Sequence, residues 1–315
     1  MPPPWLPHPD KFDDEHGSTR LSRSAARGDV VRVRRGFYLP APVWDSLKPW
    51  QRYRTMIQAV NDSARRAPVF SHESAASILG LPLLETPAQV HCLLPISSSG
   101  GRNEYGVRRH NPIPGDPLPW CVDGLLTTPL VETARDLAAT GTFAQGLTAM
   151  DRLLLPKLFP GIPLGLLSAI RDEEVLDSLA KLGSGSQRGR VKRSLEFADI
   201  RSGSPGESWS RAIMLQHGFP TPELQLPFHD NRGLIGYPDF DWEEFKLLGE
   251  FDGYEKYSAQ RFLDGLTPSQ VVVAEKNREN RLRALGYNVV RWVWDDLRTP
   301  ERLIRLLHDA GLPSR

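Results

Sequence analysis

The chain has 315 residues, with 39 lysines and arginines against 38 acids and a net charge of +1. That length favours two domains, with room for a third small unit. Balanced charge excludes a uniformly basic nucleic-acid coat, so any basic surface must be local; 40% hydrophobic and 24% charged residues fit an ordinary globular chain.

No window approaches about 18 consecutive apolar residues, so no transmembrane helix and no membrane partner is expected. The start, Met1-Pro-Pro-Pro-Trp-Leu-Pro7, lacks a charged segment followed by an apolar core, so no signal peptide is expected. Cys92 and Cys121 form no metal or redox motif; the expectation is two buried free thiols in a reducing cytoplasm.

Residues 1–17 are rich in proline and charge and read as irregular. Ser18 or Thr19 can cap a short helix that Gly28-Asp29 ends. Residues 30–39 read as a basic hairpin that turns near Arg35-Gly36. Tyr53, Met56, Ile57 and Val60 recur at helical spacing and predict a helix over 49–66. Ser71 caps a second helix to Leu79, residues 89–94 read as a strand, and 97–101 as a Ser/Gly loop. Short strands broken by proline follow over 105–126, then helices over 128–137 and 143–155. One helix is predicted near 164–182, and 183–190, Gly-Ser-Gly-Ser-Gln-Arg-Gly-Arg, is the clearest candidate for a linker or exposed loop. The last segment reads helix (207–217), strands (224–228, 234–242, 245–251), helix (268–285), strand (288–294) and helix (300–310).

Two short runs in that segment carry acids where strands usually carry valine or leucine. They are Tyr237-Pro-Asp-Phe-Asp-Trp242 and Phe245-Lys-Leu-Leu-Gly-Glu-Phe-Asp-Gly253. With Glu243-Glu244 as a two-residue turn, Trp242 pairs with Phe245 and Asp239 with Leu248. Asp239, Asp241, Glu250 and Asp252 then share one face, while Phe240, Trp242, Phe245, Leu247 and Phe251 take the other. Glu250 falls diagonally from Asp239, roughly 7–8 Å away in backbone terms. Clustered carboxylates on one face suit a divalent cation, because hard cations take oxygen ligands.

Helix, three strands, helix, strand and helix in that order, with Pro238-Asp239, Glu250-Phe251-Asp252 and Glu207 in Ser204-Pro-Gly-Glu-Ser-Trp-Ser-Arg211, resembles the PD-(D/E)XK nuclease superfamily in its very-short-patch-repair-like (Vsr-like) branch. The resemblance covers roughly residues 190–312. It implies DNA phosphodiester hydrolysis with Mg²⁺, or Mn²⁺ in its place, held by Asp239, Glu250 and Glu207. The family's assisting lysine is replaced by Asp252; Lys256 and Lys276 are the candidates to serve instead. Arg278 and Arg281 on the next helix are candidate phosphate contacts, as is Arg291; Arg283 also forms an ordinary pair with Glu279. Trp292 and Trp294 read as core rather than as base-stacking platforms.

The front half carries a second resemblance. Residues 18–39 resemble the end of a winged helix-turn-helix, a recognition-type helix followed by the wing Arg32-Val-Arg-Arg-Gly-Phe-Tyr38. Together with Phe70-Ser-His-Glu-Ser-Ala-Ala-Ser-Ile-Leu-Gly-Leu81 and Leu126-Thr-Thr-Pro-Leu-Val-Glu-Thr-Ala-Arg-Asp-Leu-Ala138, residues 18–138 are similar to the AbiEi-type antitoxin and regulator family. That likeness implies promoter DNA or a cognate toxin or defence protein as partner. Arg20, Arg23, Arg32, Arg34 and Arg35, with Arg27 beside them, make the local basic cluster such binding needs. A complete winged helix places two helices before the recognition helix, whereas seventeen residues precede Ser18, so a truncated module or a misplaced start is expected.

Other constellations are weak. His72 beside Ser71 lacks a nucleophile elbow and reads as a capping or core residue. His91, His110, His217 and His229 show no ligand spacing, and no zinc site is expected from them. Gly183-Ser-Gly-Ser has no Walker lysine.

The fold class expected is therefore α/β with an α+β front half. Its parts are a degenerate winged-helix-like segment (1–45), an AbiEi-like domain (46–155), a helical or loop linker (156–191) and a Vsr-like PD-(D/E)XK domain with a central mixed sheet (192–315). The expected function is that of a Mg²⁺-dependent DNA endonuclease or nickase in phage defence or a toxin–antitoxin setting. The alternative is a non-enzymatic DNA-binding regulator or antitoxin carrying an inactive nuclease fold.

Overall fold

The structure, a computed structural model, describes residues 5–6, 17–95, 106–155, 172–253 and 268–315. It is mixed α/β and divides into two compact units, residues 1–141 with 152–193, and residues 142–151 with 194–315. Among the described residues no helix is long and apolar enough to cross a membrane.

The first unit opens with α1 (Gly17–Arg27) and the hairpin of β1 (Val30–Arg34) and β2 (Phe37–Pro40), paired antiparallel. Gly36 takes φ +86° at the turn, which glycine tolerates without the steric cost a side chain would impose. After α2 (Ala41–Ser46) comes α3 (Pro49–Ser63), whose Tyr53, Ile57 and Val60 are buried. A five-stranded sheet then forms from β3 (Val69–Phe70), β4 (Val90–Leu93), β5 (Val107–His110), β6 (Trp120–Val122) and β7 (Leu125–Thr127), in the order β5-β4-β3-β7-β6. It is mixed: β4 runs parallel to β5 and β3 to β7, while β3–β4 and β6–β7 are antiparallel. α4 (His72–Leu79) follows β3 directly, and α5 (Leu130–Thr140) follows β7. Further on come α7 (Asp172–Ala180) and α8 (Gly185–Glu196), while α6 (Phe143–Leu153) falls mostly in the second unit.

Two expectations are corrected in this half. The stretch 183–190 is mostly helical rather than an exposed loop, because α8 starts at Gly185. Ser184 accepts the Gln187 N–H, Arg188 donates to the Leu182 carbonyl, and Val191 is fully buried. Burial and capping here outweigh the poor helix propensity of glycine and serine. Cys121 is exposed rather than buried, because it alternates outward on edge strand β6, while Cys92 is buried. The predicted loop at 97–101 and residues 164–171 of the predicted helix lie outside the described residues.

Arg135, on α5, is fully buried and neutralised within the unit. It meets Asp116 at 2.7 and 2.8 Å and Asp136 at 2.7 and 2.9 Å, and it also donates to Ser178. Leaving such a charge unpaired would cost several kcal/mol, and Arg135 with Asp136 forms an internal ion pair.

The second unit centres on a four-stranded mixed sheet. Its strands are β8 (Glu223–Leu224), β11 (Phe240–Trp242), β12 (Leu247–Phe251) and β13 (Asn288–Trp292), in the order β13-β12-β11-β8. β12 runs parallel to β13 and antiparallel to β11. A separate hairpin joins β9 (Phe228–Asp230) to β10 (Gly233–Gly236). The helices are α9 (Pro205–Gln216), α10 (Pro268–Ala284), α11 (Trp294–Arg298) and α12 (Pro300–Asp309). Trp294 thus begins a helix instead of ending the last strand. Phe240, Trp242, Leu247, Phe251 and Trp292 sit in one core with Ile213, Leu303 and Leu307. Each large apolar side chain buried there contributes about 1.5–3 kcal/mol. The packing leaves no slack at Gly249, where an added Cβ would lie 2.5 Å from the Trp292 ring, or at Gly206, where it would lie 2.0 Å from the Phe251 ring.

The acidic hairpin forms, with a different register. Glu243–Phe245 make a 3₁₀ turn and Lys246 takes φ +47°, so Trp242 pairs with Leu247 and not with Phe245. Phe240 pairs with Gly249, so the register continued by one residue brings Asp239 level with Glu250 rather than with Leu248. A longer turn shifted the register by two residues, and an even shift keeps every side chain on its face.

Candidate functional site

Three elements of the second unit carry the predicted acids Glu207, Asp239 and Glu250, but among the described residues their carboxylates do not gather within the 4.8 Å that the histidine cluster of the first unit meets. Ser204 caps α9, its Oγ accepting the Glu207 N–H at 3.3 Å, with Pro205 in the first turn. The Glu207 carboxylate reaches back to the Gly203 N–H at 2.8 Å, a capping-box arrangement moved one residue outward. This holds a buried anion at a helix N-terminus, where the helix dipole favours it. Asp239, just before β11, accepts the Phe251 N–H at 2.8 Å through Oδ2.

Gln225 joins the two acids. Its Nε2 donates to Glu207 Oε2 at 3.2 Å and to Asp239 Oδ1 at 2.9 Å. One amide NH₂ thereby serves two carboxylates, using both of its hydrogens. Gln225 takes φ +52°, a left-handed backbone uncommon outside glycine. Strain of this kind costs about 1–3 kcal/mol and gathers at functional sites. No periodicity or motif in the sequence marks Gln225; only the folded positions of α9 and β11 give its amide two partners.

Glu250, on β12 and level with Asp239, is buried and turned to two guanidiniums. Arg278 of α10 bonds its Oε1, and Arg291 of β13 lies 2.8 Å from its Oε2. Burial pushes the Glu250 carboxyl up from its usual range, partly offset by these two cations. Arg291 also lies 3.3 Å from Asp252 and 2.5 Å from Glu275. On α10 the positions 275, 278 and 279 face this network, whereas Lys276 is exposed. Lys256 lies outside the described residues.

The remaining candidate cations divide. Arg281 is committed to Asp230, at 2.6 and 2.7 Å, and to the Gly233 carbonyl, so it clasps the β9–β10 hairpin. Arg283 pairs with Glu279 at 2.9 Å. In the first unit, Arg23, Arg32 and Arg35 are exposed, Arg34 donates to Ser63 at 2.8 Å, and Arg27 pairs with Asp29 at 3.0 Å. Arg32, Arg34 and Arg35 line an open concavity of ≈ 560 Å³. Arg20 lies on α1, its side chain outside the described set. Trp292 is core, its indole N–H donating to Ser210 at 2.7 Å.

One constellation set aside on spacing assembles in the fold. His72, His91 and His110 of the first unit come together, with ligand atoms all within 4.8 Å of one another. They arrive from α4, β4 and β5, which no local spacing pattern reports.

No protein-family model matches the chain. Two curated relatives are similar to it, the uncharacterized proteins Rv2248 of Mycobacterium tuberculosis strain H37Rv and MT2308 of strain CDC 1551 / Oshkosh. Each is 33% identical over 142 residues, covering 43% of this chain and 49% of the relative. The chain spans about half the length of the curated relatives it matches, and neither relative's description carries an activity.

Proposed function

We propose that the second unit is a Vsr-like PD-(D/E)XK nuclease core that hydrolyses DNA phosphodiesters, and that the AbiEi-like first unit positions it on DNA or on a toxin or defence partner. The observation that carries this reading is the Gln225 bridge between Glu207 and Asp239, with Glu250 across the hairpin from Asp239. The donor set is all carboxylate oxygen, the chemistry that suits Mg²⁺ or Mn²⁺. Asp239 and Glu207 would hold the cation, joined by Glu250. A bound Mg²⁺ supplies a water of lowered pKa and neutralises charge on the phosphate oxygens.

The chain's own residues do the rest. Gln225 and the Gly203 N–H keep two carboxylates oriented, which spares reorganisation when substrate arrives. Arg278 and Arg291 hold Glu250 and set two guanidinium forks beside it, groups that match phosphate oxygens well. One buried Arg278 amino group has no hydrogen-bond partner among the described residues, so part of that fork is available to a ligand. The test is incubation of purified protein with Mg²⁺ or Mn²⁺ and supercoiled plasmid, single-stranded DNA or RNA. Nicking or linearisation by wild type that Asp239→Asn loses supports the proposal. Absence of cleavage on every substrate, or equal cleavage by both proteins, sinks it.

A second reading has its own observation. Asp252 stands where the family places lysine, and Glu250 is matched by two arginines. Those contacts also suit a regulator with an inactive nuclease core, which uses the exposed Arg23, Arg32 and Arg35 of α1 and the β1–β2 wing on promoter DNA. It predicts sequence-dependent mobility shifts without cleavage, and binding that survives Glu250→Ala.

A further inference from the structure

We infer that Glu73, His72, His91 and His110 form a transition-metal site in the first unit, one that takes Zn²⁺ or a cation of similar ligand preference. Three observations carry it. The first is geometric: His91 Nδ1 lies 3.2 Å from His110 Nε2 and 2.8 Å from Glu73 Oε2. Two nitrogens that share a tetrahedral zinc at about 2.0–2.1 Å stand about 3.3 Å apart, so these atoms already have near-ligand separations. His72 joins His91 and His110, the ligand atoms of these three histidines lying within 4.8 Å of one another, and its ring stacks on His110 at 3.7 Å.

The second observation is an unmet acceptor. Glu73 Oε2 is buried and has no well-formed hydrogen bond among the described residues, although it sits against an imidazole nitrogen. A cation between them would satisfy both lone pairs. The third is backbone strain. His72 takes φ +49° at the first residue of α4, a left-handed conformation that aims its ring into the cluster. Its Nδ1 lies 3.1 Å from Ser71 Oγ and 3.9 Å from Asp136 Oδ2, which leaves Nε2 for a ligand. Oxygen partners on the far nitrogen are how metal-bound histidines are oriented.

Imidazole nitrogens select zinc-like cations over Mg²⁺ or Ca²⁺. The site would staple the start of α4 to the adjacent parallel strands β4 and β5.

The test uses the full chain, stripped with chelator, dialysed and titrated with Zn²⁺ by calorimetry and with Co²⁺ by visible absorption. One equivalent per chain, a four-coordinate Co²⁺ spectrum and persistence in a large excess of Mg²⁺ are expected. His110→Ala and His72→Ala should lose the equivalent, and Glu73→Gln should bind about 10–100-fold more weakly. His217→Ala, His229→Ala and Asp239→Asn should bind as wild type does. His110 is only half-buried, so its removal is compatible with folding, and circular dichroism checks each variant. Failure to bind either metal, or a bound equivalent that survives His72→Ala and His110→Ala, overturns the inference. Loss of that equivalent in Asp239→Asn would move the site to the second unit and overturn it equally.

Discussion

In the second unit, Asp239 leads into one strand of a hairpin and Glu250 lies on the other, and Glu207 belongs to a helix whose cap it builds. In the first unit, His72, His91 and His110 come from a helix start and two parallel strands, with long stretches of chain between them. The acids are placed by local geometry, and the histidines meet only because parallel strands need crossovers that bring distant residues side by side. The chemistry differs in the same way: all-oxygen donors in one unit, mostly imidazole donors in the other. The two sites should therefore respond to different cations and to different mutations.

The largest effect that would sharpen this contrast is on cleavage. Asp239→Asn should abolish plasmid nicking while leaving the Zn²⁺ stoichiometry of the chain unchanged; a variant that still nicks breaks the assignment of the acids. Next comes the internal ion pair of the first unit. Arg135→Met takes the guanidinium from Asp116 and Asp136 and should cost about 3–5 kcal/mol in urea unfolding. A loss below about 1 kcal/mol would show that the cluster is less buried in solution than the fold describes.

Zinc at a hundredfold excess over its dissociation constant should stabilise the protein by about 2.7 kcal/mol. Thermal unfolding with and without Zn²⁺ measures this, and the gain should vanish in His110→Ala. Gln225→Ala removes the bridge but no acid, so cleavage should fall about 10–100-fold. Activity equal to wild type would reduce the amide to a passenger. The smallest effect concerns Asp241, whose Oδ1 is buried without a hydrogen-bond partner among the described residues. Burial, with Glu243 nearby, raises its carboxyl to about 6. A raised folded pKa stabilises below the unfolded value near 4 and loses that contribution as pH rises through 6. Asp241→Asn should therefore gain roughly 1–2 kcal/mol on wild type at pH 7–8, with the gain gone by about pH 4. A gain independent of pH would locate its origin outside this carboxyl.

Much of the second unit was legible because its signals are local. The alternation around Phe240, Trp242, Leu247 and Phe251 predicted the core face, and all four are buried. The turn length was not legible. Glu243–Phe245 close as a 3₁₀ turn with Lys246 left-handed, a choice made when Leu247 and Leu248 pair in parallel with Asn288 and Val289. Helix α8 was hidden for a related reason: Gly185 and Gly189 look like linker residues until Val191 is seen buried. Gln225 and the histidine cluster were invisible because their partners lie on other elements.

By itself, the sequence determined the α/β class, the acidic face of one hairpin and the basic hairpin over 30–39. Each of these depends on neighbours within a few residues, where backbone period and side-chain type suffice. The tertiary structure alone decided that Asp239 comes level with Glu250, that Gln225 links Asp239 to Glu207 and that Arg278 and Arg291 flank Glu250. It alone gathered His72, His91 and His110, with Glu73 against His91. Contacts between distant segments form only after loop closure and burial have chosen which strands lie side by side, and no local pattern encodes that choice.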